Sequence, residues 1–227
     1  MAMKFAILTF PGTNCERDMY RCVTDELEQQ AEFIRHDTLR TDALDSFDAI
    51  LLPGGSSYGD IPSPGATAAT TGIFNALRKV AEEGKPIIGV CNGFQILTAA
   101  GLLPGSLLCN TTPRFVCKTT PIKITRNNSI FTNRYETGQV VNYPIAHMHG
   151  RYHCDDTILR QLQQNGQILF TYEDNPNGST ANIAGITNKA GNILGMMPHP
   201  ERAVDMMLGN ADGLPLFKSI VNRLIQR

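Results

Sequence analysis

The residues best equipped for chemistry are grouped around Cys91. It stands in Gly89-Val90-Cys91-Asn92-Gly93-Phe94-Gln95, directly after the apolar run Pro86-Ile87-Ile88-Gly89-Val90 and before the helix-forming stretch from Phe94 to Ala100. A strand, a sharp turn and a helix with cysteine at the apex make the G-x-C-x-G form of a nucleophile elbow. A sharp turn brings its flanks close together, and Gly89 and Gly93 supply the small residues this needs. The helix that follows aims its free N–H groups and positive dipole end at the sulfur. That favours the thiolate, which is the nucleophilic form. A structural cysteine ending a core strand would need neither the paired glycines nor an immediate helix start.

A matching base lies in Met197-Pro198-His199-Pro200-Glu201-Arg202, after the strand-like Asn192 to Met196. His199 and Glu201 are two apart, so an extended chain would turn both to the same side. A carboxylate there fixes the tautomer and orientation of the imidazole, leaving the other ring nitrogen to face a thiol. Alone, the segment reads as a surface His-Glu pair in a proline-rich loop. With Cys91 elsewhere in the chain, nucleophile and base stand at the separated positions such sites use.

The elements that must carry these residues alternate along the first half. Lys4–Phe10 reads as a buried strand that turns at Pro11-Gly12. Asn14 is placed to cap a helix running to about Gln30, with Glu16 and Asp18 in its first turn. Short strands are expected at Glu32–Arg35 and Asp48–Leu52, the second ending in Pro53-Gly54-Gly55. A helix is expected from about Ala66 to Glu83, stopped by Gly84-Lys85-Pro86, and then come the elbow strand and its helix to Gly101. Beyond Pro104 the pattern changes. Phe115–Ile124 and Gln139–His147 alternate as half-exposed antiparallel strands. Asp155–Gln164 reads as a helix and Gln167–Tyr172 as a strand. Ala181–Thr187 and Asn192–Met196 flank a hairpin turn at Asn188–Gly191, and Leu214–Gln226 is a closing helix. The order βαβαβ implies an α/β fold: an open, mostly parallel sheet with helices on both faces, extended by antiparallel strands in the C-terminal half. Its site should lie at the carboxyl ends of the parallel strands, where Pro11, Gly54-Gly55 and Cys91 fall.

Composition narrows the function classes. The 227 residues suit one compact domain, and the net charge of −1 gives no reason to expect a nucleic-acid or anionic-membrane partner. Met1–Phe10 is too short and uncharged for a secretory signal, and no apolar run reaches membrane-spanning length. The six cysteines (Cys15, Cys22, Cys91, Cys109, Cys117, Cys154) include no C-x-x-C pair, so all six are expected as thiols in a reducing cytoplasm. His147, His149 and His153 have metal-like spacing but no acidic ligand beside them, so no metal site is expected.

On G-V-C-N-G-F-Q and P-H-P-E-R the chain resembles the class I (triad) glutamine amidotransferases. The segments 8–18, 52–60, 89–105 and 191–203 are similar to the glutaminase subunits of phosphoribosylformylglycinamidine synthases, within a resemblance running from Met3 to about Ile225. This implies a flavodoxin-like glutamine amidotransferase domain over 3–227. It implies hydrolysis of glutamine by Cys91, His199 and Glu201. Asn92, the residue after the nucleophile, would give one oxyanion N–H and, by resemblance, Gly55 the other. Gln95 and His147 would contact glutamine. The chain has no P-loop, so the resemblance assigns it no cofactor of its own. The implied partners are a synthetase subunit carrying ATP and Mg, which converts formylglycinamide ribonucleotide to the amidine in purine synthesis, and a small third subunit. Two departures stand out. Ile61-Pro62-Ser63-Pro64 follows Ser57-Tyr58-Gly59-Asp60 where the family has Y-L-R, and Met148-His149 replaces Gly-Glu of A-H-G-E-G. A dienelactone-type hydrolase would place its acid before the histidine in chain order. A binding or redox module of similar fold would have no use for P-H-P-E.

Overall fold

The computed structural model describes residues 2–226. Eleven strands and five α-helices follow one another as β1 (Lys4–Thr9), α1 (Glu16–Arg21), β2 (Gln30–Arg35), β3 (Ala49–Leu52), α2 (Ile73–Glu82), β4 (Ile87–Val90), α3 (Asn92–Ala99), β5 (Ser106–Leu108), β6 (Val116–Ile124), β7 (Val140–His147), β8 (Arg151–His153), α4 (Asp156–Gln164), β9 (Ile168–Tyr172), β10 (Ile183–Thr187), β11 (Ile193–Met196) and α5 (Leu214–Ile225). Nine strands form one sheet in the order β2-β1-β3-β4-β11-β10-β9-β6-β7. The block from β2 to β11 is parallel, and β10, β9, β6 and β7 continue it antiparallel. The expected architecture is therefore present, with the β10–β11 hairpin joining its two parts.

The parallel strands read as unbroken apolar runs because they are covered on both sides: β3, β4 and β11 are buried at every position. Strand β6 instead alternates over much of its length, as one face meets solvent. Close packing rests on missing side chains at a few points. A Cβ on Gly195 would stand 2.1 Å from the Phe94 ring, so α3 lies directly on β11. Phe94 in turn stacks on Tyr152 of β8.

Several local expectations shift. The helix from Asn14 to Gln30 is broken: α1 ends at Arg21 and widens into a π-helical stretch, Cys22–Glu26, which buries Cys22 and Val23. Glu28 then takes a positive φ of 55°, and the freed residues Gln30 and Ala31 join β2. The N-cap is Cys15, with no side-chain cap bond, and the side-chain carbonyl of Asn14 accepts from the Cys15 thiol instead of capping. The helix at 66–83 begins only at Ile73. The Thr70 and Thr71 hydroxyls bond back to the Thr67 and Ala68 carbonyls, and Thr71 is extended. Such side-chain bonds offer the backbone an alternative to helix. Ala181 and Asn182 sit in a 3-10 turn with positive φ, so β10 starts at Ile183. The β5–β8 ribbon was not legible in the sequence.

Candidate active site

Cys91 occupies the step from β4 to α3 with φ 52° and ψ −107°. A non-glycine residue there is strained, and such strain persists only where surrounding bonds hold it. They do: the Cys91 amide donates to the Met196 carbonyl of β11 (2.8 Å), and its own carbonyl accepts from Phe94 and Gln95. The flanking glycines are required by close approach. A Cβ on Gly93 would lie 2.1 Å from the Leu52 carbonyl oxygen, and one on Gly89 would lie 2.6 Å from the Gly93 carbonyl. The elbow is thus clamped between β3 and β11.

His199 arrives from the end of β11. Its amide donates to the Pro144 carbonyl of β7 (2.8 Å), and its Nδ1 is 2.6 Å from Glu201 Oε1. Both side chains are buried, at 1% and 2% exposure. The pair does not form along an extended strand, as the two-residue spacing suggested. Pro200–Arg202 makes a 3-10 turn that folds the carboxylate back onto the ring. Burial is the largest influence on the imidazole and works against its charge. Glu201 and then Cys91 outweigh it and hold His199 well above its ordinary value. The free Nε2 makes no hydrogen bond.

Cys91 and His199 open onto one cavity of about 440 Å³, whose wall also includes Gly55, Gln95, His147 and Asp60. That is room for a small amino-acid substrate. The Gly55 backbone is pressed against Gly12 and Thr13, where an added Cβ would sit 2.5 Å from the Gly12 oxygen. Asn92 opens α3, so its N–H belongs to the first turn, which has no intrahelical acceptor. Its side chain accepts from the Ser57 amide (3.2 Å) and donates to Gln95 Oε1 (2.9 Å). Gln95 donates in turn to the His149 carbonyl (2.8 Å). Both ends of the Gln95 amide are therefore committed to holding the cavity wall. His147 is buried with neither ring nitrogen bonded. Burial, followed by the charge of His199, pushes it down to about 4, so it is neutral at pH 7.

Nothing in the spacing of the chain signalled how close Cys15 and Arg202 come to this site. Arg202 Nη2 donates to Cys15 Sγ (3.0 Å) and its Nε to Asp18 (3.2 Å). One donor atom each from Cys15, His199 and Glu201 lie within 4.8 Å of one another. Among the described residues this is the clustered trio, and His147, His149 and His153 form no such group. Since Glu201 already bonds His199, the trio is the His-Glu pair with a thiol beside it. All six cysteines are free. No helix among the described residues is long and apolar enough to cross a membrane.

Known proteins share this fold. Residues 2–213 match the CobB/CobQ-like glutamine amidotransferase domain. The chain belongs to that family. A chain of the PurLQS structure from Thermotoga maritima is 40% identical, with a TM-score of 0.89, over 99% of this chain and 100% of that one. By that family the chain is a glutamine amidotransferase enzyme, and its likeness to the chain of the PurLQS structure runs from end to end. A GMP synthase-like protein from Thermoplasma acidophilum (15% identity, TM-score 0.67, covering 100% of this chain and 96% of that one) shares the fold. So does a glutamine amidotransferase from Thermotoga maritima (14%, TM-score 0.65, 100% of both chains).

Proposed function

We propose that Cys91, His199 and Glu201 form the catalytic triad that hydrolyses glutamine to glutamate and ammonia. The observation that supports it is the strained Cys91 at a strand end, facing the same cavity as the buried His199–Glu201 pair. Cys91 Sγ attacks the side-chain amide carbon. His199, held in its charged form by Glu201, gives a proton to the departing ammonia and then draws one from the water that cleaves the thioester. The N–H groups of Gly55 and Asn92 receive the oxyanion, and one such donor is worth roughly 3–4 kcal/mol of barrier. The wall residues Gln95 and His147 complete the glutamine pocket. The Gln95 amide, bonded at both ends, shapes that pocket, and the buried His147 ring, packed against Gly150, forms part of its wall.

The chain needs no cofactor and no metal for this reaction. It acts as a single domain spanning 3–227 in the cytoplasm and passes ammonia to a synthetase of the PurL type, which carries ATP and Mg and makes formylglycinamidine ribonucleotide. A small third component of the PurS type completes the assembly. The likeness to a chain of the Thermotoga maritima PurLQS structure supports this grouping. The test is peptide mass spectrometry after treatment with the glutamine analogue diazo-oxo-norleucine, with and without the synthetase. A single adduct on Cys91, enhanced by the synthetase, is expected. An unlabelled Cys91 under both conditions would overturn the assignment.

A further inference from the structure

We propose that Cys15 is a resolving thiol for Cys91: once a peroxide has oxidised the nucleophile, the two close a disulfide that reversibly shuts the site. The inference rests on the glutaminase reading above and adds redox control to it. Both thiols line the same cavity, and both are free. Their meeting point is Gly54. A Cβ there would lie 3.0 Å from Cys15 Sγ, 3.4 Å from Cys91 Cβ and 2.8 Å from His199 Cε1. Glycine at this position leaves the space between the two cysteines without a side chain, and rotation about their Cα–Cβ bonds brings the sulfurs into it. Backbone bonds keep the approach close, since the amides of Asn14 and Cys15 both donate to the Gly54 carbonyl (3.2 Å each).

The surroundings of Cys15 are those of a working thiol. Arg202 Nη2 donates to its sulfur (3.0 Å), and Asn14 Oδ1 accepts from it (3.0 Å). Positive charge against a sulfur marks reactive cysteines, whereas structural ones lie among apolar side chains. Cys22, further along the same segment, is of the second kind: it is wholly buried in the core, and burial pushes its thiol up. Cys91 Sγ is only loosely held, 3.8 Å from the Ala146 carbonyl. The chemistry balances with hydrogen peroxide alone. The Cys91 sulfur attacks one peroxide oxygen and the O–O bond breaks. The sulfur, oxidised by two electrons, becomes a sulfenic acid, and the other oxygen leaves as hydroxide and takes up the thiol's proton as water. Cys15 then attacks that sulfur, the S–O bond breaks, and the departing hydroxide takes the Cys15 proton as a second water. The disulfide stops Cys91 short of the irreversible sulfinic acid, and a dithiol reductant restores both thiols.

The test uses the full chain. It is treated with hydrogen peroxide, its remaining thiols are blocked with iodoacetamide, and it is digested without reductant for peptide mass spectrometry. A peptide pair joined through Cys15 and Cys91 and split by dithiothreitol is expected, with Cys91 again open to alkylation after the reductant. In Cys15→Ser the pair should vanish, and most of Cys91 should pass to sulfinic acid that dithiothreitol does not recover. Wild-type Cys91 that reaches sulfinic acid while Cys15 stays open to alkylation would overturn the proposal. So would a link from Cys91 to Cys109 or the exposed Cys117 instead, or a Cys91 that peroxide leaves unchanged. The wild-type cross-link decides the matter even where Cys15→Ser fails to fold. These outcomes are independent of glutamine turnover, and the glutaminase reading stands or falls separately on labelling of Cys91 by diazo-oxo-norleucine.

Discussion

Replacing Glu201 with glutamine tests the triad where its geometry is most exacting. The carboxylate is 2% exposed, Oε1 lies 2.6 Å from His199 Nδ1, and Oε2 has no partner. In Glu201→Gln the amide has two ways to sit. With its oxygen toward Nδ1, the NH₂ takes the place of Oε2 and is left as a buried, unpaired donor, at a cost of about 1–3 kcal/mol. With its nitrogen toward Nδ1, donor faces donor, and the ring is driven to the tautomer that cannot serve Cys91. Loss of the charge-assisted bond adds about 1.5–3 kcal/mol. Part of this total lowers stability and part raises the barrier. A barrier increase of about 2–4 kcal/mol corresponds to a loss of about 30- to 1,000-fold in kcat/KM for glutamine hydrolysis. The pH dependence supplies a second readout. Glu201 is the strongest of the influences that raise His199. A raised histidine contributes stability that is fully present below its unfolded value near 6.5 and is lost as pH rises through the folded value. The stability gap between wild type and variant should therefore be widest below about pH 6.5 and narrow at alkaline pH. A variant within threefold of wild-type kcat/KM, with a gap independent of pH, would refute the argument.

Further outcomes follow from other positions. Gly93→Ala drives a Cβ to 2.1 Å from the Leu52 carbonyl, so unfolding by urea should show a loss of about 2–3 kcal/mol, and a loss below about 0.5 would mean that the elbow yields. His147 is held down at about 4, so the unfolded chain binds its proton first as pH falls below about 6.5. It should remove about 3 kcal/mol of stability between there and about pH 4, and His147→Asn should flatten that part of a pH-stability curve. Asp155 caps α4 by accepting from Ile158 N (2.8 Å), so Asp155→Ala should cost about 1 kcal/mol by thermal unfolding and leave Cys91 labelling unaltered.

Cys91, His199 and Glu201 were legible as candidates in the sequence because each stands in a local pattern, and the structure brings the three together. Gly89 is demanded by its contact with Gly93 inside one strand-turn-helix unit written in consecutive residues, whereas Gly93 answers to the Leu52 carbonyl of the neighbouring strand β3. Apolar runs marked β1, β3, β4 and β11 because strands buried on both faces tolerate little else. Where expectation and structure part, the deciding contacts are distant in sequence. The helix after Asn14 could not be seen to widen at Cys22, since that turn packs against α5. His199 and Glu201 were expected to face each other along a strand, but a 3-10 turn brings them together, its entry fixed by the bond from His199 to Pro144 of β7. Arg202 reaches Cys15 across 187 positions, and Ser57 reaches Asn92 across 35. Spacing reports only what one segment does to itself. The segments carrying Asn14, Asp60, Cys91 and Met148 meet around one cavity, and tertiary structure alone could bring residues so far apart in sequence to one wall.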